Sequence, residues 1–279
     1  YAVVNVSLLG LRLVVGRCLG GRRMPVVAIK VLSGVPPESD LPRAERRVCV
    51  RLPPSNDALA LRVAWAAAHV PPGGELWITG AQREGIKSAP GRLGEHFHEV
   101  TVRRLKRRCR VLAAVRNDRP APPAPDVDAL ERRFEVKVPG GGLVCCTLPG
   151  VFAHGRLDDG TAMLLAELDT RRGFRRAVDL GCGSGVIGAS LAARKAAERV
   201  ELCDVDATAV EASRRTIAAN GLAGVSAHHM DAAGAAALGT CDLVVSNPPF
   251  HEGGKADATM VEAFVAAAAR LLTGDGLML

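Results

Sequence analysis

The sequence predicts an α/β chain whose main sheet is parallel and doubly wound, preceded by a second, reduced copy of the same architecture. Three observations carry this. Strand-like and helix-like segments alternate over the second half of the chain. A glycine-rich turn, "DLGCGSG", joins one of those strands to the helix after it. An apolar run ending in a double proline occurs twice, as "RVCVRLPP" at 47–54 and "DLVVSNPP" at 242–249.

The division into parts comes from "RPAPPAPD" at 119–126, a proline-rich break that reads as a linker. It separates an amino-terminal domain, 1–118, from a carboxyl-terminal domain, 127–279. After it, "FEVKV" and "GLVCCTL" flank a glycine turn as a β-hairpin, and "TAMLLAELDT" has helical spacing. "RAVDL" is a strand, "VIGASLAARKAA" a helix, "RVELCDVD" a strand, and "ATAVEASRRTIAANG" a helix with a glycine stop. "VSAHHMD" and "DLVVSNPPF" are strands, "ATMVEAFVAAAARLL" is a helix, and "GLML" opens a further strand.

In the earlier repeat, "DALALRVAWAAAHV" is the matching helix and "PPGGELWITG" the matching turn and strand. "EHFHEVTVRRLKRRCRVLAAVR" then reads as a terminal hairpin. The earlier copy has Leu52 where the later one has Asn247, and it contains nothing like the glycine turn. It is expected to have kept the sheet and lost the chemistry. The chain begins at Tyr1 and stops inside a strand, so it reads as a fragment, incomplete at both ends.

Composition restricts the function classes. Hydrophobic residues make up 48% of 279 residues, enough for a substantial core. Arginines and Lys30 interrupt every apolar run near the start, so neither a membrane span nor a signal peptide is expected. The eight cysteines include no C-x-x-C pair, so zinc is not expected; buried thiols in a reducing cytoplasm are. The net charge of +7, with the run "RRLKRRCR" at 103–110, is compatible with nucleic acid, and equally with the solvated face of a hairpin.

The chemistry sits at the carboxyl ends of the predicted strands, where ligands bind in such sheets. Gly181, Gly183 and Gly185 turn the chain tightly after Asp179 and permit close approach of a ligand. Asp204 ends the next strand, where a ribose diol is held, while Asp206 reads as a helix cap. The spacing G-x-G-x-G suits a nucleoside better than a pyrophosphate. Asp231, after the third strand, is either an acceptor for an adenine amine or a turn aspartate.

Asn247, Pro248, Pro249 and Phe250 form a stiff corner after the fourth strand. The Asn247 amide oxygen and the Pro248 carbonyl are fixed acceptors for both hydrogens of an exocyclic amine. Phe250 offers a ring on which the base can stack, a contact worth about 1–3 kcal/mol. The competing reading is a plain strand-ending turn, as at Pro53 and Pro54.

This combination resembles the class I S-adenosylmethionine-dependent methyltransferases, with their Rossmann-like sheet and Asn-Pro-Pro-aromatic motif. "LPGVFAHGRLDDGTAMLL", "ELCDVDATAVEASRRTIAANG" and "VVSNPPFHEG" are similar to the bacterial ribosomal RNA small-subunit guanine-N2 methyltransferase family. That resemblance implies S-adenosylmethionine as cofactor and ribosomal RNA, free or in an assembled subunit, as partner. It implies that Asp179, Gly181, Gly183, Gly185, Asp204, Asp231 and Asn247 surround the cofactor, and that Asn247, Pro248 and Phe250 hold the guanine. Residues 152–161 would close over the cofactor. Alternatives are a large-subunit guanine, a glutamine amide, adenine N6, and an inactive RNA-binding remnant.

Overall fold

The computed structural model describes residues 2–4, 30–32, 47–53, 55–139, 141–248, 251–252, 255–256 and 258–279. The chain forms two compact units, Tyr1–Val127 and Asp128–Leu279.

In the first unit, β1 (Ala2–Val4), β2 (Lys30–Leu32), β3 (Arg47–Arg51), β4 (Glu75–Ala81), β5 (Phe97–Lys106) and β6 (Cys109–Arg116) form one sheet. Its order is β2-β1-β3-β4-β6-β5, parallel through β4 and antiparallel beyond it. Alternation sets the core face: Val48, Val50, Leu76 and Ile78 are buried while their neighbours are not. Helix α1 (Asn56–His69) starts at Ser55, whose side chain accepts the Ala58 N–H at 3.1 Å. Leu59, Val63, Trp65 and Ala66 seal that helix onto the sheet. Leu52, in place of an amide, is buried in the same core.

The expected hairpin is β5–β6, and it turns at Arg107 and Arg108, both at positive φ (48° and 62°). At its base, Arg116 is 1% exposed. Its guanidinium donates to the carbonyls of Ala67, Asn117, Arg119 and Pro120, so the buried charge is surrounded by acceptors.

The second unit opens with the predicted hairpin, β7 (Arg132–Val138) against β8 (Gly141–Thr147). Helix α2 (Asp159–Leu168) follows, then β9 (Phe174–Leu180), α3 (Val186–Ala193), β10 (Ala197–Asp204), α4 (Ala207–Ala219) and β11 (Val225–His229). Next come β12 (Cys241–Val245), the short pair β13 (His251–Glu252) and β14 (Lys255–Ala256), α5 (Ala258–Leu271) and β15 (Leu272–Met278).

The main sheet runs β11-β10-β9-β12-β15, parallel throughout. All its carboxyl ends therefore lie on one edge. Leu180, Leu202, Leu243, Val244 and Val245 are fully buried, as strands covered on both faces require.

The expected helix over 186–197 is too long. It ends at Ala193, because Lys195 takes a left-handed conformation (φ 54°) and Ala197 already pairs in β10. The strand expected at 225–231 ends at His229, before Asp231 opens a 3-10 turn at Gly234–Leu238.

The free edge of β8 is closed by side chains of α4. Asn220 accepts the Val144 N–H at 2.9 Å and donates to the Val144 carbonyl at 2.7 Å. Thr216, four residues earlier, accepts the Cys146 N–H at 2.9 Å. Cys145 and Cys203 are buried thiols, both pushed up to about 12 by burial. Among the described residues no helix is long and apolar enough to cross a membrane, and no three His, Cys, Asp or Glu side chains converge as metal ligands do.

Candidate active site

The glycine turn leaves β9 at Gly181 and is pinned to β10. The N–H groups of Gly181 and Cys182 both donate to the Cys203 carbonyl, at 2.8 and 3.1 Å. Gly181, Gly183 and Gly185 all have positive φ (71°, 56° and 78°), the conformation for which glycine is suited. Their surroundings differ. A Cβ on Gly185 would meet Leu202 Cδ2 at 2.8 Å and Ser213 Oγ at 2.9 Å, so this glycine is needed for packing. A Cβ on Gly183 would meet nothing within 4 Å. Open space beside a bare backbone is what a ligand cradle requires. The carbonyls of Gly183 and Ser184 are held from behind by the hydroxyls of Ser213 (3.0 Å) and Thr216 (2.9 Å) on α4.

Asp204, the last residue of β10, lies against this turn. One oxygen accepts the Gly183 N–H at 3.0 Å and the other the Asp206 N–H at 2.8 Å. Burial raises its pKa above the ordinary carboxylate value, and those two N–H bonds oppose the rise. Each carboxylate oxygen has a second lone pair, so acceptor capacity remains for two hydroxyl donors. Asp206 caps α4, accepting the Thr208 N–H at 2.9 Å.

Asp179 lies beneath the turn rather than in the cleft, 1% exposed. Its Oδ2 accepts the Gly188 N–H at 2.9 Å in the first turns of α3, and its buried Oδ1 has no protein partner. Burial pushes its pKa up to about 7. Asp231 takes up the local alternative as well: its Oδ1 accepts the Gly234 N–H at 2.7 Å and fixes the turn after β11.

The corner follows β12, the neighbour of β9, with Val245 opposite Asp179. Ser246 donates from its hydroxyl to the Leu180 carbonyl at 2.8 Å, joining the corner to the start of the glycine turn. Asn247 and Pro248 are half-buried; Pro249 and Phe250 lie outside the described residues. The Asn247 amide nitrogen donates to Asp158 Oδ2 at 3.1 Å and Thr161 Oγ1 at 3.0 Å, at the start of α2. Gly160 passes so close that a Cβ there would lie 3.3 Å from Asn247 Oδ1.

The structure thus brings the glycine turn, Asp204 and Asn247 to one sheet edge. Ser213 and Ser246 went unread, and Asp158 and Thr161 were read only within the segment 152–161, expected to close over the cofactor, and not as partners of Asn247. Asp158 carries a helix-cap signal, but nothing local to it names a partner 89 residues away.

The methyltransferase small domain family matches residues 142–279. Ribosomal RNA small subunit methyltransferase C of Pseudomonas aeruginosa (strain LESB58) is 42% identical over 227 residues, 81% of this chain and 66% of the relative. The protein of the same name from Stutzerimonas stutzeri (strain A1501) is 39% identical over 229 residues, with the same coverage. This chain belongs to that family.

It spans about two thirds of the length of these relatives, 66% in each case. Among solved structures, the T. thermophilus 16S rRNA N2 G1207 methyltransferase (RsmC), in complex with AdoMet and guanosine, superposes with a TM-score of 0.69 at 27% identity. The match covers 86% of this chain and 65% of that one. The fold is therefore that of a family whose cofactor is S-adenosylmethionine. The residues present fit that group: a glycine turn open at Gly183, a strand-end carboxylate with spare acceptor capacity, and an unpartnered buried oxygen below them.

Proposed function

We propose that this chain transfers a methyl group from S-adenosylmethionine to the exocyclic N2 amine of a guanine in small-subunit ribosomal RNA. The observation that carries the reading is the placement of Asn247 beside the glycine turn, joined to it through Ser246 and Leu180. Its relatives' names and the T. thermophilus enzyme's ligands support the same substrate.

S-adenosylmethionine supplies an electrophilic methyl on its sulfonium and leaves as S-adenosylhomocysteine. Everything else falls to the chain. Gly181 and Gly183 line the methionine end, with open space at Gly183, Asp204 accepts from the ribose hydroxyls, and Asp231 lies toward the adenine. Asp179 supports the turn from below.

Asn247 Oδ1 and the Pro248 carbonyl take the two hydrogens of the guanine amine. That weakens conjugation with the ring and aims the nitrogen lone pair, and Phe250 stacks on the base. A rigid corner converts binding into near-attack geometry. The proton shed after transfer goes to water.

The amine must be reachable, so the guanine is single-stranded or turned out of its helix. The partner is accordingly ribosomal RNA, free or in a subunit, and the compartment the cytoplasm. The exposed basic strand β5 suits phosphate contact. Residues 1–118 are read as a degenerate copy of the catalytic domain, 127–279, joined by the linker at 119–126.

Calorimetry of S-adenosylmethionine with the wild-type chain and Asp204→Ala tests the cofactor site. Micromolar binding that the substitution abolishes is the expected result. Tritium transfer to separate small- and large-subunit RNA then tests the substrate. Equal labelling of both, or of neither, would count against it.

A further inference from the structure

We infer that Asp158 and Thr161 are positioning residues that fix which way round the Asn247 amide sits, and so determine that an oxygen faces the substrate amine. This rests on the reading of Asn247 as the acceptor for that amine. A side-chain amide has two faces of nearly equal shape and opposite chemistry, one accepting and one donating. Only the accepting face holds an –NH₂ hydrogen. Turned over, Asn247 would point two N–H groups at a substrate that also points N–H groups, and the site would repel what it must grip.

The surroundings decide the orientation. Asn247 Nδ2 lies 3.1 Å from Asp158 Oδ2 and 3.0 Å from Thr161 Oγ1. An ionised carboxylate only accepts, so the turned amide would set oxygen against oxygen at that distance with no hydrogen between them. The carboxylate is itself held: Asp158 caps α2, and the same Oδ2 accepts the Thr161 N–H at 3.2 Å. Thr161 is buried and its hydroxyl can accept from Nδ2 as well. Gly160 completes the fit, since a Cβ there would lie 3.1 Å from Asp158 Oδ2 and 3.4 Å from Asn247 Nδ2. The helix start thus reaches across 89 residues of sequence to orient one amide.

The test is methyl transfer from tritiated S-adenosylmethionine to small-subunit ribosomal RNA and to the small subunit itself, with four forms of the full chain. These are wild type, Asp158→Asn, Asn247→Asp, and the double exchange. Asparagine caps a helix as well as aspartate, so Asp158→Asn should keep α2 and S-adenosylmethionine binding. It should lower kcat about 10- to 100-fold, with KM for RNA little changed, as a small misplacement of a reacting group does. Asn247→Asp places two carboxylates together and should be the least active form. In the double exchange, the amide now at position 158 would donate to the carboxylate now at position 247 and leave one oxygen for the substrate. Activity at least about tenfold above Asn247→Asp is expected, a rescue that a merely structural role would not produce.

If Asp158→Asn keeps the wild-type kcat, or the double exchange is no better than Asn247→Asp, the inference is wrong while the functional reading stands. A wild-type chain that binds S-adenosylmethionine but labels neither RNA nor subunit overturns both.

Discussion

The burial of Asp179 disfavours its charged form. Burial lifts its pKa from 3.8 to about 7, so over that interval the folded chain retains a proton that the unfolded chain has released. The contribution of Asp179 to stability then falls as pH rises from about 4 to about 7 and levels off above, because this group binds more protons in the folded state across that window. Asp204 is shifted in the same direction. Melting curves of wild type and Asp179→Asn should diverge between about pH 4 and pH 7, the variant gaining relative to wild type as pH rises. Parallel curves would mean the carboxyl is better solvated than its burial implies.

Two glycines of one turn should separate stability from binding. Gly185→Ala meets Leu202 and Ser213 below 3 Å and should cost about 2–3 kcal/mol. Gly183→Ala has space, should cost about 1 kcal/mol from its left-handed backbone, and should abolish S-adenosylmethionine binding by filling the cradle. Thermal melts and calorimetry on the pair check both. The glycine turn, Asp204 and Asn247 were legible because each follows a strand at a recognisable spacing. The partners of Asn247 were not, since a hydrogen bond between side chains 86 and 89 residues apart leaves no local trace.

At the scale of elements, the β7–β8 hairpin is completed by α4 rather than by another strand. Asn220 imitates a peptide group, accepting from and donating to Val144, and Thr216 serves Cys146 two residues on. Asn220→Ala removes the side-chain partners of both the N–H and the carbonyl of Val144 and should cost about 1–3 kcal/mol. Amide exchange at Val144 should quicken with it; unchanged protection would show that the edge is sealed by other means. The hairpin strands and most helices were legible from periodicity and turn residues. The β5–β6 turn was placed by its flanking strands alone, because two arginines at positive φ replace the usual Asn-Gly. The helix α3 boundary was missed because Arg194, Lys195 and Ala196 are all good helix formers, and pairing of β10 with β9 overrides that preference.

At the scale of the whole molecule, one ordering recurs. In the first unit four parallel strands run β2-β1-β3-β4; in the second, β10-β9-β12-β15 occupy the same sequential places. In the sequence, β3 and β12 share a Pro-Pro ending, while most of what surrounds β1 and β2 lies outside the described residues.

A chain that contains two sheets of one pattern runs the risk of assembling one with a strand of the other. Charges at the strand starts oppose this. Arg47, which opens β3, pairs with Glu75 at 2.6 Å. Asp242, at the matching place in β12, accepts the N–H groups of Arg175 and Arg176 at 2.8 and 2.9 Å. In a misassembled sheet, Asp242 would face Glu75, and the main-chain N–H groups of Arg175 and Arg176 would lose their acceptor. That exchange would set two carboxylates together and leave Arg47 without Glu75, a mismatch that disfavours the wrong strand.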